Sequence, residues 1–451
     1  MIVTISDIQK APSVADFVLK TVEEWKGCKK LSEINDNKKY YLGTNPVLNQ
    51  QWNQINLDTG GVLELKPRQN IYSNFFGRIV KQLVNRLLYY DVSFDDDVTL
   101  LKMGNKFHQS LRDIAFDAAV SGVSWGFWQN GKLVHFPSDG FIPIYNDRNG
   151  KIEKGIKFWQ VREDLPTFYQ LFEVDGITEW QSEKDANILT LVKDKTPYRY
   201  QIRAWQTGRR DVVNIQNYGV LPIIPMYPNM ERRSELTKPI QTKINAYDLL
   251  NTFYTDEFLQ SKFVYWMITG FQGNAEELIK IRDIVRKLGI IANTDEQSKI
   301  TTQTLEPPHN AQEKIMKQLV REIFRDAMVF NTEEITTIGT TATAVKASQY
   351  SEDIKVRGFE HNAEVFIRGI MDLAGVESRA VSFTHFRLLD EESITRRLVM
   401  LYNMGIPIEE IIKHEPLLQD RAAEIEDLIA NRDLGIGGVH GRTDTRANAH
   451  A

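Results

Sequence analysis

Two long segments with helical periodicity, which flank residues 264–307, constrain the fold of this chain most strongly. The first begins at Ser234–Pro239, where capping residues and a proline favour a first helical turn, and continues to Phe263. The second begins after Pro307–Pro308, with Asn310 as its predicted cap. Apolar residues recur every three or four positions in both segments. Two such helices on either side of an insert predict an antiparallel arm that carries the insert at its tip.

A third helix is predicted over Ala342–Ala374, after a polar segment at Asn331–Thr341 that contains little to pack. One arm with one flanking helix buries little apolar surface on its own. Two interpretations therefore remain open from spacing alone. The arm is either a two-helix extension of an ordinary α+β protein, or a unit whose copies pack side by side in a closed ring.

Composition and charge exclude several classes of protein. The net charge is −5 at pH 7, which argues against a protein that grips nucleic acid by neutralising many phosphates, although DNA could still pass without being held. Cys28 is the only cysteine, so neither an intrachain disulfide nor a cysteine zinc site can form. No apolar run approaches the ~20 residues that span a bilayer, and Met1–Lys10 does not resemble a signal peptide. We therefore expect no membrane segment, no metal and no cofactor.

The region before the arm changes from helical to alternating periodicity near Ser121. Amphipathic helices are predicted at Val14–Trp25, Asn70–Tyr90 and Phe107–Val120, because apolar residues recur there at helical spacing. The strands that follow are separated by dipeptides typical of hairpin turns, so we expect an antiparallel meander and an α+β fold. The turns are Asn130-Gly131, Asn149-Gly150 and Asp175-Gly176, with a further turn at Gly208 and an edge strand or linker at Gly219–Pro225.

The insert at the tip of the arm is predicted to be a small α+β unit. Its apolar residues Val264, Tyr265, Trp266 and Ile268 would be exposed in a single copy, and exposed apolar groups of this kind indicate an interface. The predicted elements are strands at Phe263–Phe271, Gly289–Ala292 and Lys299–Thr304 and a helix at Ala275–Leu288.

The end of the chain is predicted to be mostly helical. Leu434–Ala451 is polar, glycine-rich and without periodicity, which is typical of a disordered tail. The elements before it are a strand at Val381–Leu388 and helical segments at Ser393–Met404, Pro407–His414 and Asp420–Asn431.

Two motifs suggest chemistry but have simpler explanations. Gly122–Gly126 matches the G-x-S-x-G pattern of hydrolases, in which Ser124 would be the nucleophile. That pattern needs a strand before the turn and a helix after it, whereas the predicted order here is the reverse. Asp95–Asp97 is either a hard-cation site or a solvated acidic turn, since adjacent carboxylates alone do not form a calcium loop. Two alternative functions remain: a monomeric or dimeric structural protein with a helical arm, and a serine hydrolase. The main interpretation contains no catalytic residue.

A basic stripe is predicted along the second helix of the arm. It either faces DNA or belongs to a solvated face of mixed charge, in which Glu313 and Lys317 form an i,i+4 pair worth a few tenths of a kcal/mol. The residues of the basic stripe are Lys314, Lys317, Arg321 and Arg325.

Seven segments, read in order, carry a resemblance to a known family. They are Lys39–Gly43, Asn70–Tyr90, Phe107–Trp128, Phe141–Asp147, Tyr218–Pro225, Ile244–Asp248 and Thr341–Ile354. Over roughly residues 35 to 430, the chain resembles the portal proteins of tailed phages, in particular the family found in long-tailed phages that infect Gram-positive bacteria.

The resemblance implies a structural assembly rather than an enzyme. By analogy, copies of the chain would form a ring, usually a dodecamer, at one vertex of the virion capsid, after assembly in the host bacterial cytoplasm. The terminase large subunit would pump double-stranded DNA through the ring. The other partners implied are head-completion or adaptor proteins, the major capsid protein and scaffolding proteins.

The same resemblance divides the chain into parts. The wing would comprise residues 1–233 and 342–390, the stem 234–263 and 308–330, the clip 264–307, the tunnel loop 331–341, the crown 391–431 and a disordered tail 432–451. The clip would contact terminase and adaptors, and the basic stripe is the candidate channel-facing part of the stem. The residues of the tunnel loop that would face the DNA channel are Glu333, Glu334, Thr336, Thr337, Ile338 and Gly339.

Overall fold

The chain combines helices with largely antiparallel sheets, which confirms the predicted α+β class. The computed structural model describes residues 1–49, 52–55, 62–65, 69–182, 188–204, 210–261, 265–269, 299–303, 309–331, 342–377, 380–384, 400–401 and 403–407. No helix within these ranges is long and apolar enough to cross a membrane.

The helices and strands are numbered here in chain order. The helices are α1 Ile5–Lys10, α2 Val14–Lys26, α3 Lys29–Leu42, α4 Phe75–Leu88, α5 Asp97–Met103, α6 Phe107–Ser121, α7 Lys238–Ser261, α8 His309–Ala327 and α9 Ala342–Ala374. The strands are β1 Val3–Thr4, β2 Trp52–Ile55, β3 Val62–Leu65, β4 Ser93–Phe94, β5 Ser124–Gln129, β6 Lys132–Phe136, β7 Phe141–Tyr145, β8 Ile152–Trp159, β9 Thr167–Glu173, β10 Gly176–Ser182, β11 Thr190–Thr196, β12 Arg199–Ala204, β13 Arg210–Gln216, β14 Ile223–Met226, β15 Tyr265–Thr269, β16 Lys299–Gln303 and β17 Val381–Ser382.

The predicted meander is present as a six-stranded sheet in the order β1-β7-β8-β9-β10-β11 and a separate three-stranded sheet in the order β14-β5-β6. The β5–β6 hairpin turns at Asn130 and Gly131, whose φ angles of 51° and 73° are both positive, as a type I′ turn requires. β14 contains Pro225 and lies at the edge of its sheet, as predicted. In the six-stranded sheet, β1, which pairs in parallel with β7, and β11 at the opposite edge were not predicted. The short strands β2, β3 and β4 elsewhere in the chain were not predicted either.

Two apolar cores support this arrangement. The larger core lies among α4, α6 and α9, each of which is apolar on the face that meets the others. Its fully buried side chains include Phe76, Leu83, Ala118, Phe359 and Phe366. The smaller core lies between α2, α3 and the six-stranded sheet, and includes Val18, Val22, Ile34, Ile144 and Ile156.

The arm contains α7 and α8 and continues into the β15–β16 pair. Lys243 near the start of α7 forms ion pairs with Glu322 and Asp326 near the end of α8, at 3.3 and 2.6 Å, so the two helices are antiparallel as predicted. At ~1.5 Å per residue, the 24 residues of α7 span about 36 Å. The third helix, α9, has the predicted bounds.

Three predicted boundaries are wrong. The helix predicted at Asn70–Tyr90 begins only at Phe75, because the side chain of Asn74 caps it by accepting a hydrogen bond from the Gly77 N–H at 3.0 Å. Asn310 is the second residue of α8 and not its cap. The strand predicted at Val381–Leu388 ends at Ser382 as β17, which pairs with β4, and residues 385–388 lie outside the described residues.

Several other predictions fall outside the described residues. These are the helix at Ala275–Leu288, the strand at Gly289–Ala292, the turn at Gly208, the segments at 408–414 and Asp420–Asn431, most of Ser393–Met404 and the tail at Leu434–Ala451.

Candidate functional site

The arm is the part of the molecule on which the sequence interpretation depends, and its packing changes along its length. At its base Ile240, Ile244, Ile323 and Ala327 are buried in the main core. Further out on α8, Ile315 lies eight residues before Ile323 and on the same face of the helix, but it is 48% exposed. The apolar face of α8 therefore extends beyond what one copy of the chain covers.

The basic stripe lies on the surface of α8. Lys314, Lys317, Arg321 and Arg325 are all exposed. Lys317 donates to Glu313 Oε1 at 2.5 Å, which is the predicted i,i+4 pair. Glu313 is fully exposed, so this pair contributes little to stability. The geometry is compatible with both interpretations of the stripe.

The Asp248 junction fixes the base of α7 to the segment before α4. The buried carboxylate of Asp248 accepts hydrogen bonds from the Asn45 side-chain amide and, at 3.0 Å, from the Ser73 N–H. One turn further along, Thr252 Oγ1 accepts from the Ile71 N–H at 3.1 Å. Burial raises the pKa of Asp248, although the bonds from Asn45 and Ser73 oppose that shift. The junction therefore sets the position at which the arm leaves the body.

The Lys355 cluster holds both helices of the arm from the side of α9. The ammonium of Lys355 lies 2.6 Å from Glu235 Oε2, just before α7, and donates to the Ala327 carbonyl oxygen at the end of α8, also at 2.6 Å. The other oxygen of Glu235 accepts from Asn229 Nδ2 at 2.9 Å. A cation at a helix C-terminus is favourable because the last carbonyls lack intrahelical partners. One side chain thus links α9 to the base of each arm helix.

A second set of charges lies one turn earlier on α9. Arg86 of α4 is buried and pairs with Asp353 at 2.7 Å. Glu352 is 2% exposed, and its Oε1 atom has no hydrogen-bond partner among the described residues. Burial raises the pKa of Glu352, although Arg86 opposes that shift. Neither cluster was predicted, because its members are far apart in sequence and no local pattern connects them.

The predicted contact residues at the tip and after α8 are described only in part. Tyr265, Trp266 and Ile268 lie in β15, which pairs with β16. Both strands fall within segments that were predicted to be strands. Val264 lies outside the described residues, as do Glu333, Glu334, Thr336, Thr337, Ile338 and Gly339.

The G-x-S-x-G match is explained by close packing. Gly122 ends α6 with φ 88°, in the left-handed region, and a Cβ added to it would lie 2.7 Å from the Cα of Arg233. A Cβ on Gly126 would clash with the ring of Phe366 on α9. Helix α6 precedes Ser124 and strand β5 begins at it, which is the reverse of the hydrolase order.

The structure nevertheless brings Ser124 together with His135 and Asp117, the residue types of a catalytic triad. Ser124 Oγ and Asp117 Oδ2 lie 3.0 and 3.3 Å from the same atom, His135 Nε2. A triad places the serine and the carboxylate on opposite ring nitrogens, and its serine is open to substrate. Ser124 is fully buried. This arrangement cannot activate Ser124 towards an external substrate.

The same residues form a structural link between α6 and the chain after β6. Asp117 Oδ2 also accepts from the Ser138 N–H at 3.0 Å. Burial alone would raise the pKa of Asp117, but the hydrogen bond from His135 and the nearby charge of Lys38 hold it below its ordinary value. The carboxylate is therefore a fixed acceptor that holds the two segments together.

The acidic run at Asp95–Asp97 has a local explanation as well. Asp96 caps α5 by accepting a hydrogen bond from the Thr99 N–H. Within the described ranges no group of three or more His, Cys, Asp or Glu side chains is arranged to hold a metal ion.

Three solved structures are similar to this chain at low identity. The neck of an empty gene transfer agent (GTA) particle, computed with C6 symmetry, has 10% identity and a TM-score of 0.46, and the match covers 84% of this chain and 90% of that one. The virion of a native GTA particle has 10% identity and a TM-score of 0.43, covering 73% and 85%. The neck of a native GTA particle, computed with C12 symmetry, has 12% identity and a TM-score of 0.42, covering 74% and 85%. No curated protein matches the chain.

A family model described as "Phage portal protein, SPP1 Gp6-like" matches residues 26–430. The match includes α3 to α6, the sheets that follow them, the arm and α9, and so extends over most of the chain. Proteins of this family are structural rather than enzymatic, which confirms the prediction that the chain is not an enzyme. The chain belongs to the SPP1 Gp6-like family of phage portal proteins.

Proposed function

We propose that copies of this chain form a ring, with a dodecamer as the expected number, at one vertex of a tailed-phage capsid. Double-stranded DNA would enter and leave through the channel of the ring. The match to the portal family over residues 26–430 is the observation that carries this proposal. The host range predicted from the sequence, long-tailed phages of Gram-positive bacteria, is part of the same proposal.

Exposed apolar side chains on the long helices support a ring. Ile315 on α8 is 48% exposed, and Tyr350 and Val365 on α9 are 67% and 56% exposed. Large apolar groups repeated along helices in one copy indicate surfaces that neighbours cover. Identical copies that bury them through a heterologous contact produce a ring when the rotation between neighbours closes.

The parts of the ring follow the division of the sequence. The arm would be the stem, residues 264–307 the clip that docks the terminase large subunit and later the adaptor proteins, and residues 331–341 the tunnel loop. The wing would contact the major capsid and scaffolding proteins. The charge of the chain, −5, is compatible with a channel that lets DNA slide, because basic contacts release counterions and bind phosphates strongly.

A packaging assay with a charge-reversed tunnel loop tests the proposed function. Replacing Glu333 and Glu334 with Lys should leave the ring intact but slow or stall DNA passage at low salt, because added phosphate contacts weaken steeply as salt rises. The measurement is packaged DNA per particle across a salt series. Normal packaging by this variant at low salt would show that the loop does not face the DNA.

A second variant in the same assay tests the clip. Replacing Trp266 with Ala should reduce ring assembly or the attachment of terminase and adaptors while the wing remains folded, as followed by circular dichroism. Unchanged assembly, packaging and adaptor attachment would remove Val264–Ile268 from the docking surface.

A further inference from the structure

A half-open cavity of about 580 Å³ lies between β1, the start of β5, strand β7 of the six-stranded sheet and the loop that leads from β14 towards α7. Its volume is in the range of sites that hold a small ligand or a few side chains of a peptide. None of the arm residues contributes to it. The apolar side chains of its wall that remain accessible are Met1, Ile2, Val123 and Pro143, and behind them lie the nearly fully buried side chains of Trp25, Ile34, Trp125, Phe141 and Ile142.

The polar groups of this cavity are mainly hydrogen-bond donors. Arg232 lies over the ring of Tyr227, with 4.8 Å between its guanidinium carbon and the ring centroid. Tyr145 and Lys30 also line the cavity. Burial raises the pKa of both tyrosines, so their hydroxyls remain neutral donors at physiological pH. We call this arrangement, Arg232 with Tyr145 and Tyr227 at the apolar wall, the arginine pocket.

The backbone of the pocket is held in an unusual conformation. Arg232 has φ 55°, in the left-handed region that a long side chain rarely adopts. The side chain of Asn229 maintains the loop, because it accepts from the Arg233 N–H at 3.1 Å and donates to the Arg233 carbonyl at 2.8 Å. Asn229 is held in turn by Glu235 of the Lys355 cluster. Several hydrogen bonds thus hold the loop that places Arg232 at the cavity.

Among the described residues, the lining of the pocket has two basic side chains, Arg232 and Lys30, and one carboxylate, that of Asp147, so its net charge is positive. No carboxylate there forms an ion pair with Arg232, whose contact is the Tyr227 ring. Asp147 also lines the cavity, but its Oδ2 atom accepts from the Ser6 N–H at 3.0 Å. An anion that enters would therefore meet a guanidinium and two hydroxyl groups beside an apolar wall, in a lining whose net positive charge is reduced by Asp147.

We propose that the arginine pocket binds a peptide segment of a partner protein, in which an aromatic or branched apolar side chain lies beside a carboxylate. The apolar side chain packs against Ile2, Val123 and Pro143, and the carboxylate accepts hydrogen bonds from Arg232 and the tyrosines. Burial of the apolar side chain adds a hydrophobic contribution to binding that a free phosphate would not obtain. Charge and shape together favour this occupant.

Saturation-transfer NMR on the full-length protein tests the pocket, with N-acetyl-L-phenylalaninate as the probe and N-acetyl-L-phenylalaninamide as its neutral counterpart. The carboxylate should bind about fivefold more tightly than the amide, because charge-assisted hydrogen bonds to a guanidinium are the stronger kind. Inorganic phosphate at the same concentration should not displace it.

Three variants complete the experiment. Arg232→Asn removes the charge with a residue that tolerates the left-handed region, and should abolish the preference for the carboxylate. Arg233→Asn is the matched control and should leave both affinities unchanged. Val123→Phe fills the apolar wall and should weaken both probes. Equal binding of the two probes, an unchanged preference in Arg232→Asn, or displacement by phosphate would each overturn the proposal, independently of whether the chain forms a ring.

Discussion

Replacing Lys355 with Met should destabilise the body of the protein more than any exposed lysine replacement. The substitution keeps the length of the side chain but leaves the Glu235 carboxylate, whose side chain is 5% exposed, without its counter-ion. Removing one partner of a buried ion pair costs ~3–5 kcal/mol. Asn229 still donates to Glu235 at 2.9 Å, so we expect the lower end of that range.

This cost converts into a measurable change in melting temperature. With an unfolding entropy of ~2.1 cal/mol/K per residue, ~3 kcal/mol lowers the Tm of this 451-residue chain by about 3 °C. Differential scanning calorimetry at neutral pH measures the shift, and Lys314→Met on the exposed face of α8 is the matched control. A shift of under about 1 °C, or an equal shift in the control, would refute the assignment of Lys355 as the link between α9 and the arm.

A double-mutant cycle separates this link from simple packing. Glu235→Gln alone should be destabilising, but adding it to Lys355→Met should cost much less than the sum, since the uncompensated charge is then absent. Residues in direct contact couple by ~0.5–3 kcal/mol. Strict additivity of the two changes would contradict the ion pair.

Two further predictions concern buried carboxyl groups. Asp248→Ala leaves the Asn45 amide and the Ser73 N–H without their acceptor. It should therefore lower the free energy of unfolding, measured by urea denaturation, by ~2–4 kcal/mol. A decrease below about 1 kcal/mol would mean that the Asp248 junction does not hold α7. Glu352→Gln should raise the Tm at pH 8 but hardly at pH 4, because a carboxyl whose folded pKa lies above its unfolded pKa favours folding less as pH rises through that window. An equal change in Tm at both pH values would contradict the raised pKa of Glu352.

Elements with a strong local signal could be predicted from the sequence. Helices α6, α7 and α9 follow apolar periodicity and end close to their predicted positions. The β5–β6 hairpin follows from Asn130-Gly131, because few other dipeptides accept two positive φ angles in succession. The order of the segments also identified the family that the match over residues 26–430 shows.

Features that depend on distant partners could not be predicted. Ile71 and Ser73 were assigned to a helix, but their N–H groups donate to Thr252 and Asp248 of α7, far along the chain. β1 has only two residues and forms because β7 offers an unpaired edge. The Lys355 cluster and the arginine pocket join residues from separate segments, so no spacing in the sequence indicates them.

The contact between Ser124 and His135 shows why a sequence motif has to be tested against the geometry of the side chains. The sequence order argued against a nucleophilic serine, yet the structure places all three triad residue types together. The shared contact on His135 Nε2 and the complete burial of Ser124 add geometric arguments against the hydrolase interpretation to those from the element order and the family match.

The central claim, that copies of this chain assemble into a closed ring, is tested most directly by native mass spectrometry of the purified full-length protein. At 52.0 kDa per copy, the account predicts one large homo-oligomer near a dodecamer, with neighbouring ring sizes allowed. Its mass should not change between low and moderate salt, because the contact that we propose between copies is made by apolar side chains such as Ile315 and Val365. A strict monomer at micromolar concentration in both salt conditions would contradict the ring.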